Sequence, residues 1–230
     1  MTETDTNEPV KQRLRLLFAK KVQTKYISHL DLSLAWERAL RRARMPLAYS
    51  QGFNPRPKMQ FASGLPLGTT GSAEILDIIV KELVDPKDAL ERIVPALPVG
   101  IGLSSVEEVP LKGPTLQQLL KEAEYRVTLE TDLSAEELST RIEALLAADT
   151  IMQTRKRRKR DEQFDMRPLL HELRLDSVEN GDALLFMRVT AGQHGNLRPE
   201  AVLKALDLEE NWASIERTRL IFETDEESSQ

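Results

Sequence analysis

The order of periodic segments runs through the chain twice, and this recurrence limits the folds open to it more than any other feature. Residues 13–20 alternate Leu14, Leu16 and Phe18 with other residues, the two-residue period of a half-buried strand. Ser28, with Asp31 three positions on, has the form of a capping box and opens a helix that runs to about residue 44, before Pro46. The apolar stripe of that helix is Leu32, Ala35, Trp36, Ala39, Leu40 and Ala43. Leu47, Ala48 and Tyr49 start a second strand, residues 51–58 form a loop around Gly52, Pro55 and Pro57, and residues 73–80 form a third strand. Asp85 caps a helix with Pro86 at its first position, and a strand over 100–109 closes the set. After a short helical piece over 116–123 the order returns. It comprises a strand over 125–130, a helix capped by Ser134 and Glu137, a hairpin turning at Asn180-Gly181, a short helix from Pro199, and a strand over 215–222. The pattern predicts an α+β chain of two tandem ferredoxin-like (β-α-β-β-α-β) halves, residues 11–110 and 124–223, with a linker over 111–123. Residues 1–10 and 224–230 read as disordered acidic tails.

Composition removes several kinds of chemistry. The chain has no cysteine, so disulfides, thiolate metal sites, thiol nucleophiles and iron–sulfur ligation are excluded within it. His29, His171 and His194 are its three histidines, and none stands in a zinc-hydrolase spacing. No Walker motif, dinucleotide fingerprint or nucleophile elbow is present. Glu74 and Asp77 are paired carboxylates of a kind that any acidic stretch supplies. Neither a metal nor a cofactor is therefore expected. No apolar run approaches the ~18–20 residues needed to span a bilayer, and the acidic start is unlike a signal peptide, so a cytoplasmic location away from membranes is the expectation.

The net charge of −5 conceals a strong asymmetry. Residues 11–60 hold twelve basic and two acidic residues, a local balance of +10, whereas residues 61–150 carry −9. A basic face of this kind points to an anionic partner. Arg38, Arg41 and Arg42 share one face of the first helix, and Asp31 lies two turns earlier on that side. They form either a phosphate-binding face or a solvated one whose cations complement the helix dipole. Arg44, Arg56 and Lys58 follow, the last two in a loop stiffened by Pro55 and Pro57. Phe53 in that loop either stacks on a base or plugs the core beneath it. Arg155, Lys156, Arg157, Arg158, Lys159 and Arg160 form a run of six cations after the first helix of the second half. This run is either the counterpart of the basic loop, lining a shared RNA groove, or a flexible insertion. Arg167, Arg198, Arg217 and Arg219 can extend the surface. His29, in the first turn of its helix, suits acid–base work on RNA, phosphate binding or plain packing.

The segments Tyr26-Ile-Ser-His-Leu-Asp-Leu32, Arg38-Ala-Leu-Arg-Arg42 and Pro46-Leu-Ala-Tyr-Ser-Gln-Gly-Phe-Asn-Pro-Arg-Pro-Lys58 resemble the radical-SAM-linked protein family. This is a bacterial domain of unknown function, fused to or encoded beside radical SAM proteins. Phe164-Asp-Met-Arg-Pro168, Leu197-Arg-Pro199 and Arg217-Thr218 resemble its second half, so the likeness covers roughly residues 12–222. Matching positions are His29, Asp31, Arg38, Arg42, Ser50, Gly52, Phe53, Pro55, Pro57 and Lys58, with Asp165, Arg167, Arg198 and Arg219 in the second half. The resemblance implies a radical SAM protein as partner. A radical SAM cluster needs three cysteines, so this chain cannot hold it.

Together these features predict an RNA-binding accessory protein, for tRNA or rRNA, that acts with a radical SAM modification enzyme. One alternative is a metal-independent endoribonuclease using His29, by analogy with tandem ferredoxin-like ribonucleases. Another is a protein-docking module for the radical SAM partner.

Overall fold

A computed structural model of the chain describes residues 11–157 and 160–223. The side chains of residues 155–160 and both acidic tails lie outside the described residues. The chain is a mixed α+β protein with mostly antiparallel strands and, among the described residues, five α-helices. It divides into two compact units. One takes the chain up to Leu67 together with Glu74–Leu116, and the other takes Gly68–Ala73 and the chain from Gln117 onward.

The first unit opens with strand β1 (Gln12–Lys20), in which Leu14, Leu16 and Phe18 are fully buried. Helix α1 (His29–Arg42) follows, then strand β2 (Met59–Phe61), strand β3 (Thr69–Val80), helix α2 (Pro86–Ile93) and strand β4 (Ile101–Val109). The neighbour order is β4-β1-β3-β2. Leu47 and Tyr49 form only isolated bridges, to Val80 and Pro57, and the second strand is β2 instead. Lys81 N–H donates to Pro46 O and Ala48 N–H to Ile79 O, both at 2.8 Å, but the turn at Gly52 and the prolines carries the chain away before the pairing extends to a strand.

Ser28 and Asp31 make the capping box at the start of α1. The helix ends in a Schellman motif. Met45 N–H donates to Leu40 O (3.0 Å) and Arg44 N–H to Arg41 O (3.0 Å), with Arg44 in the left-handed region at φ 52°. Trp36, fully buried, packs edge-on against Phe18 with ring centroids 5.1 Å apart, and Phe18 packs in turn on Phe61 at 5.9 Å.

In the second unit come helix α3 (Leu116–Leu119), strand β5 (Leu120–Glu130), helix α4 (Ala135–Ala147), strands β6 (Met152–Arg157), β7 (Arg160–Asp165), β8 (Leu170–Glu179) and β9 (Asp182–Thr190), helix α5 (Pro199–Ala205) and strand β10 (Ala213–Phe222). The helical piece expected over 116–123 thus stops at Leu119. Leu120 already pairs with Phe222 and Ala123 with Leu220, so cross-strand pairing overrides a helical spacing of leucines. The sheet order is β10-β5-β9-β8, and Thr69, Thr70 and Gly71 add a parallel pairing to Ile215, Glu216 and Arg217. The turn at Asn180-Gly181, with φ of 54° and 85°, joins β8 to β9 as expected for this dipeptide. Counted from each unit's own first sheet strand, both orders read fourth, first, third, second.

The most buried charge cluster of the first unit sits on its sheet. Asp77, 3% exposed, accepts from Arg13 Nε (2.8 Å) and Arg15 Nε (2.9 Å). Removing a carboxylate that neutralises two arginines leaves buried cations without compensation. Asp77→Ala is expected to cost roughly 3–5 kcal/mol of stability, read as a large fall in the urea midpoint of the full chain.

Candidate nucleic-acid interface

Packing of the apolar stripe decides where the helix arginines point. With Leu32, Trp36, Ala39 and Leu40 buried, Arg38 and Arg41 are carried on the exposed face of α1. Arg41 bonds Glu37 one turn back at 2.7 Å, and its guanidinium lies 6.0 Å from the centre of the Tyr49 ring. Arg42 turns elsewhere: its Nε and Nη2 donate to the carbonyl of Ala96, at 3.3 and 2.7 Å. The three arginines of one helical face are therefore split. Two face outward and one ties the helix end to the segment after α2. Arg92 supports the same end, donating from Nε to Ala43 O at 3.1 Å and from Nη2 to Arg44 O. Asp31 is engaged in the cap, bonded to Ser28 Oγ at 2.7 Å.

Beside Tyr49 stands the proline-containing loop. Its base is closed by Ser50 N–H donating to Arg56 O (2.8 Å), by Arg56 N–H donating to Ser50 Oγ (3.0 Å), and by the Tyr49–Pro57 bridge. Lys58 N–H donates to Ala48 O at 2.8 Å. The tip has Gly52 at φ 128° with no atom near where a Cβ would stand, so glycine is required there by torsion and not by space. Phe53 is completely exposed, at 106% of its reference surface, and takes no part in the core.

The side chains of Arg38, Arg44, Arg56 and Lys58 are exposed and meet no hydrogen-bond or ion-pair partner among the described residues. Residues 38–73 contain no carboxylate at all. Tyr49 joins the surface through its contact with Arg41, a proximity that sequence spacing does not mark. His29, exposed at the first position of α1, sets its ring 5.0 Å from that of Phe61 at 75°. Behind it Lys20, 1% exposed, donates to the carbonyls of Lys25 (3.1 Å) and Ile27 (3.4 Å) and fixes the turn that leads into the cap.

In the second unit Arg155, Lys156 and Arg157 of the basic run lie on β6 and Arg160 on β7, strands that pair antiparallel with Arg157 opposite Arg160. The side chains of Arg155, Lys156, Arg157 and Arg160, and the whole of Arg158 and Lys159, fall outside the described residues. Asp165 and Arg167 hold the base of this hairpin. Asp165 Oδ1 accepts from Ile151 N–H (2.8 Å) and Arg167 N–H (3.0 Å), while the Arg167 guanidinium donates to Leu146 O and Leu170 O, both at 3.1 Å. Arg167 is thus spent on the end of α4 and the start of β8. Arg198, at the N-cap of α5, and Arg219, on β10, are exposed, and Arg217 is buried. A polar cleft of about 510 Å³ is lined by Glu130, Asp132, Asp182, Asn180 and Asn211 with Thr131 and Gly181. Among the described residues no group of three histidine or carboxylate side chains has a metal-holding arrangement, and no helix is long and apolar enough to cross a membrane.

The chain belongs to a family of proteins conserved in bacteria. The model of that family, DUF2344, described as an uncharacterized protein conserved in bacteria, matches residues 13–199. A comparison with curated proteins gives no match. Similar solved structures include a Cbf5-Nop10-Gar1 complex (TM-score 0.46, 14% identity, 82% of this chain and 44% of that one). Others are an H/ACA RNP bound to a substrate RNA containing 2'-deoxyuridine (0.48, 12%, 90% and 47%) and an archaeal box H/ACA sRNP Nop10-Cbf5 complex (0.45, 12%, 91% and 48%). The chain thus spans less than half the length of each of these matched chains. At these values the likeness says nothing about the partners or chemistry of this chain.

Arg44 occupies a left-handed position that glycine takes at least cost. Arg44→Gly is expected to leave the thermal midpoint unchanged or raise it, by an amount worth up to about 1 kcal/mol. Arg44→Ala, which keeps the strain, should give no such gain.

Proposed function

We propose that this chain binds RNA, of the tRNA or rRNA class, through the cationic surface of its first unit, and serves as an accessory to a radical SAM modification enzyme. The observation that carries the reading is the set of exposed cations, Arg38, Arg44, Arg56 and Lys58, without protein partners among the described residues, in a stretch free of carboxylates. Cations gathered this way repel one another in the free protein, and a polyanion relieves that repulsion while releasing its own counterions. Arginine adds a planar fork that matches phosphate oxygens. The radical SAM association is supported by the sequence resemblance alone. In that association the cluster belongs to the partner, because this chain has no cysteine to hold it. The two units read as tandem ferredoxin-like halves, a reading supported by their shared strand order. In each unit a basic element follows the helix that comes after the first sheet strand, the loop of residues 50–58 after α1 and the β6–β7 hairpin after α4.

Filter binding of total RNA to the full chain over a salt series tests the reading. Log K is expected to fall linearly with log salt, with a slope of about −0.7 per phosphate contacted on a single strand. Lys58→Ala should weaken binding and flatten that slope by roughly 0.7. Absence of binding at low salt would sink the proposal. RNA recovered intact after long incubation distinguishes binding from cleavage by His29.

A further inference from the structure

We infer that the loop of residues 50–56 reads unpaired bases: Phe53 stacks on a base of single-stranded RNA while Arg56 and Lys58 take the flanking phosphates. This rests on the RNA reading of the same surface and specifies the strand type. A fully exposed phenylalanine contributes nothing to the core, yet it stands at the tip of a loop whose base is closed. Two hydrogen bonds between Ser50 and Arg56 close the base, the Tyr49–Pro57 bridge lies just outside them, and Pro55 stiffens the descent from the tip. The backbone at the base of the loop is therefore set before any ligand arrives, which lowers the ordering cost of binding at its tip.

The surroundings of the ring select the ligand. Its neighbours on the loop are Gln51, Gly52 and Asn54, all exposed, then Arg56 and Lys58. Protein interfaces surround such a ring with further apolar side chains and deplete lysine at their centre. An aromatic platform among cations is instead the chemistry of single-stranded nucleic-acid sites, where each base offers a π-face and each phosphate a charge. A-form duplex RNA offers neither an open base face nor a major groove that side chains can enter. Tyr49, 39% exposed, with Arg41 at its ring, supplies a second aromatic surface four residues earlier.

The test uses the full chain with a labelled 12-nucleotide RNA of non-self-complementary sequence, presented as a single strand and as a blunt duplex, read by fluorescence anisotropy. The single strand is expected to bind at least tenfold more tightly. Phe53→Ala should weaken single-strand binding by roughly 10- to 100-fold and change duplex binding less than twofold. Phe53→Trp should retain single-strand binding, whereas Lys58→Ala should weaken both forms alike. Because Phe53 makes no core contact, circular dichroism should be unchanged in each Phe53 variant. Single-strand binding that survives Phe53→Ala undiminished, or equal losses on both RNAs, overturns the stacking inference and leaves the RNA reading standing. No binding of either RNA by the parent chain overturns both.

Discussion

The burial of Trp36 against Phe18 is the contact on which the exposed surface of the first unit depends. It fixes the rotation of α1 over its strands, and with it the outward direction of Arg38 and Arg41. A helix rolled by one position, about 100°, would bring an arginine toward the core and place indole in water. The C-terminal end is fixed independently by Arg42 on Ala96 and by Arg92 on Ala43 and Arg44. A helix held at its middle by aromatic packing and at its end by charged donors on carbonyls presents its remaining cations in a set geometry.

The basic character of the first fifty residues after the tail is therefore of two kinds. Arg13 and Arg15 are neutralised by Asp77, Lys20 is buried on backbone carbonyls, and Arg42 serves as a strut. Arg13, Arg15 and Lys20 complete the fold, since withdrawing them would strand a buried carboxylate or a buried acceptor; Arg42 is exposed but engaged on Ala96 O. Arg38, Arg44, Arg56 and Lys58 face solvent, as do Lys11, Lys21 and the Glu37-paired Arg41. A balance of +10 read from composition overstates the attraction to an anion, because folding consumes part of it internally.

Much of the architecture was legible because local signals agreed with the final contacts. The alternation in β1, the Ser28–Asp31 and Ser134–Glu137 caps and the Asn180-Gly181 turn all appear where the residues place them. Three elements were hidden. Strand β2 is only Met59–Phe61 and follows the prolines instead of preceding them, and three residues carry too short a period to detect. Strand β5 begins at Leu120 because its partner Phe222 lies a hundred residues away, beyond any local window. Strands β6 and β7 cross a highly charged segment, where no apolar alternation marks a strand, so the pairing of Arg155, Lys156 and Arg157 with residues of β7, seated by Asp165 and Arg167, was not visible in the sequence. Of the candidate site, the identities of the cations were visible in sequence, whereas their division between struts and free groups required the packing.

The loop beyond Tyr49 separates conformation from burial in an informative way. Glycine serves at turns chiefly because it takes a positive φ without penalty. At Gly52 no atom stands within 4 Å of the missing Cβ, and only the torsion of 128° demands it. The loop's bend is thus written in its own backbone and in the Ser50–Arg56 hydrogen bonds, one of them to the Ser50 hydroxyl. Burying Phe53 would have gained roughly 1.5–3 kcal/mol for folding, and the chain forgoes that gain, with Gly52 taking the positive φ of an exposed loop. Stability does not account for such an arrangement. A ligand that covers an aromatic face between cations would recover at the surface the apolar contact that the core never received.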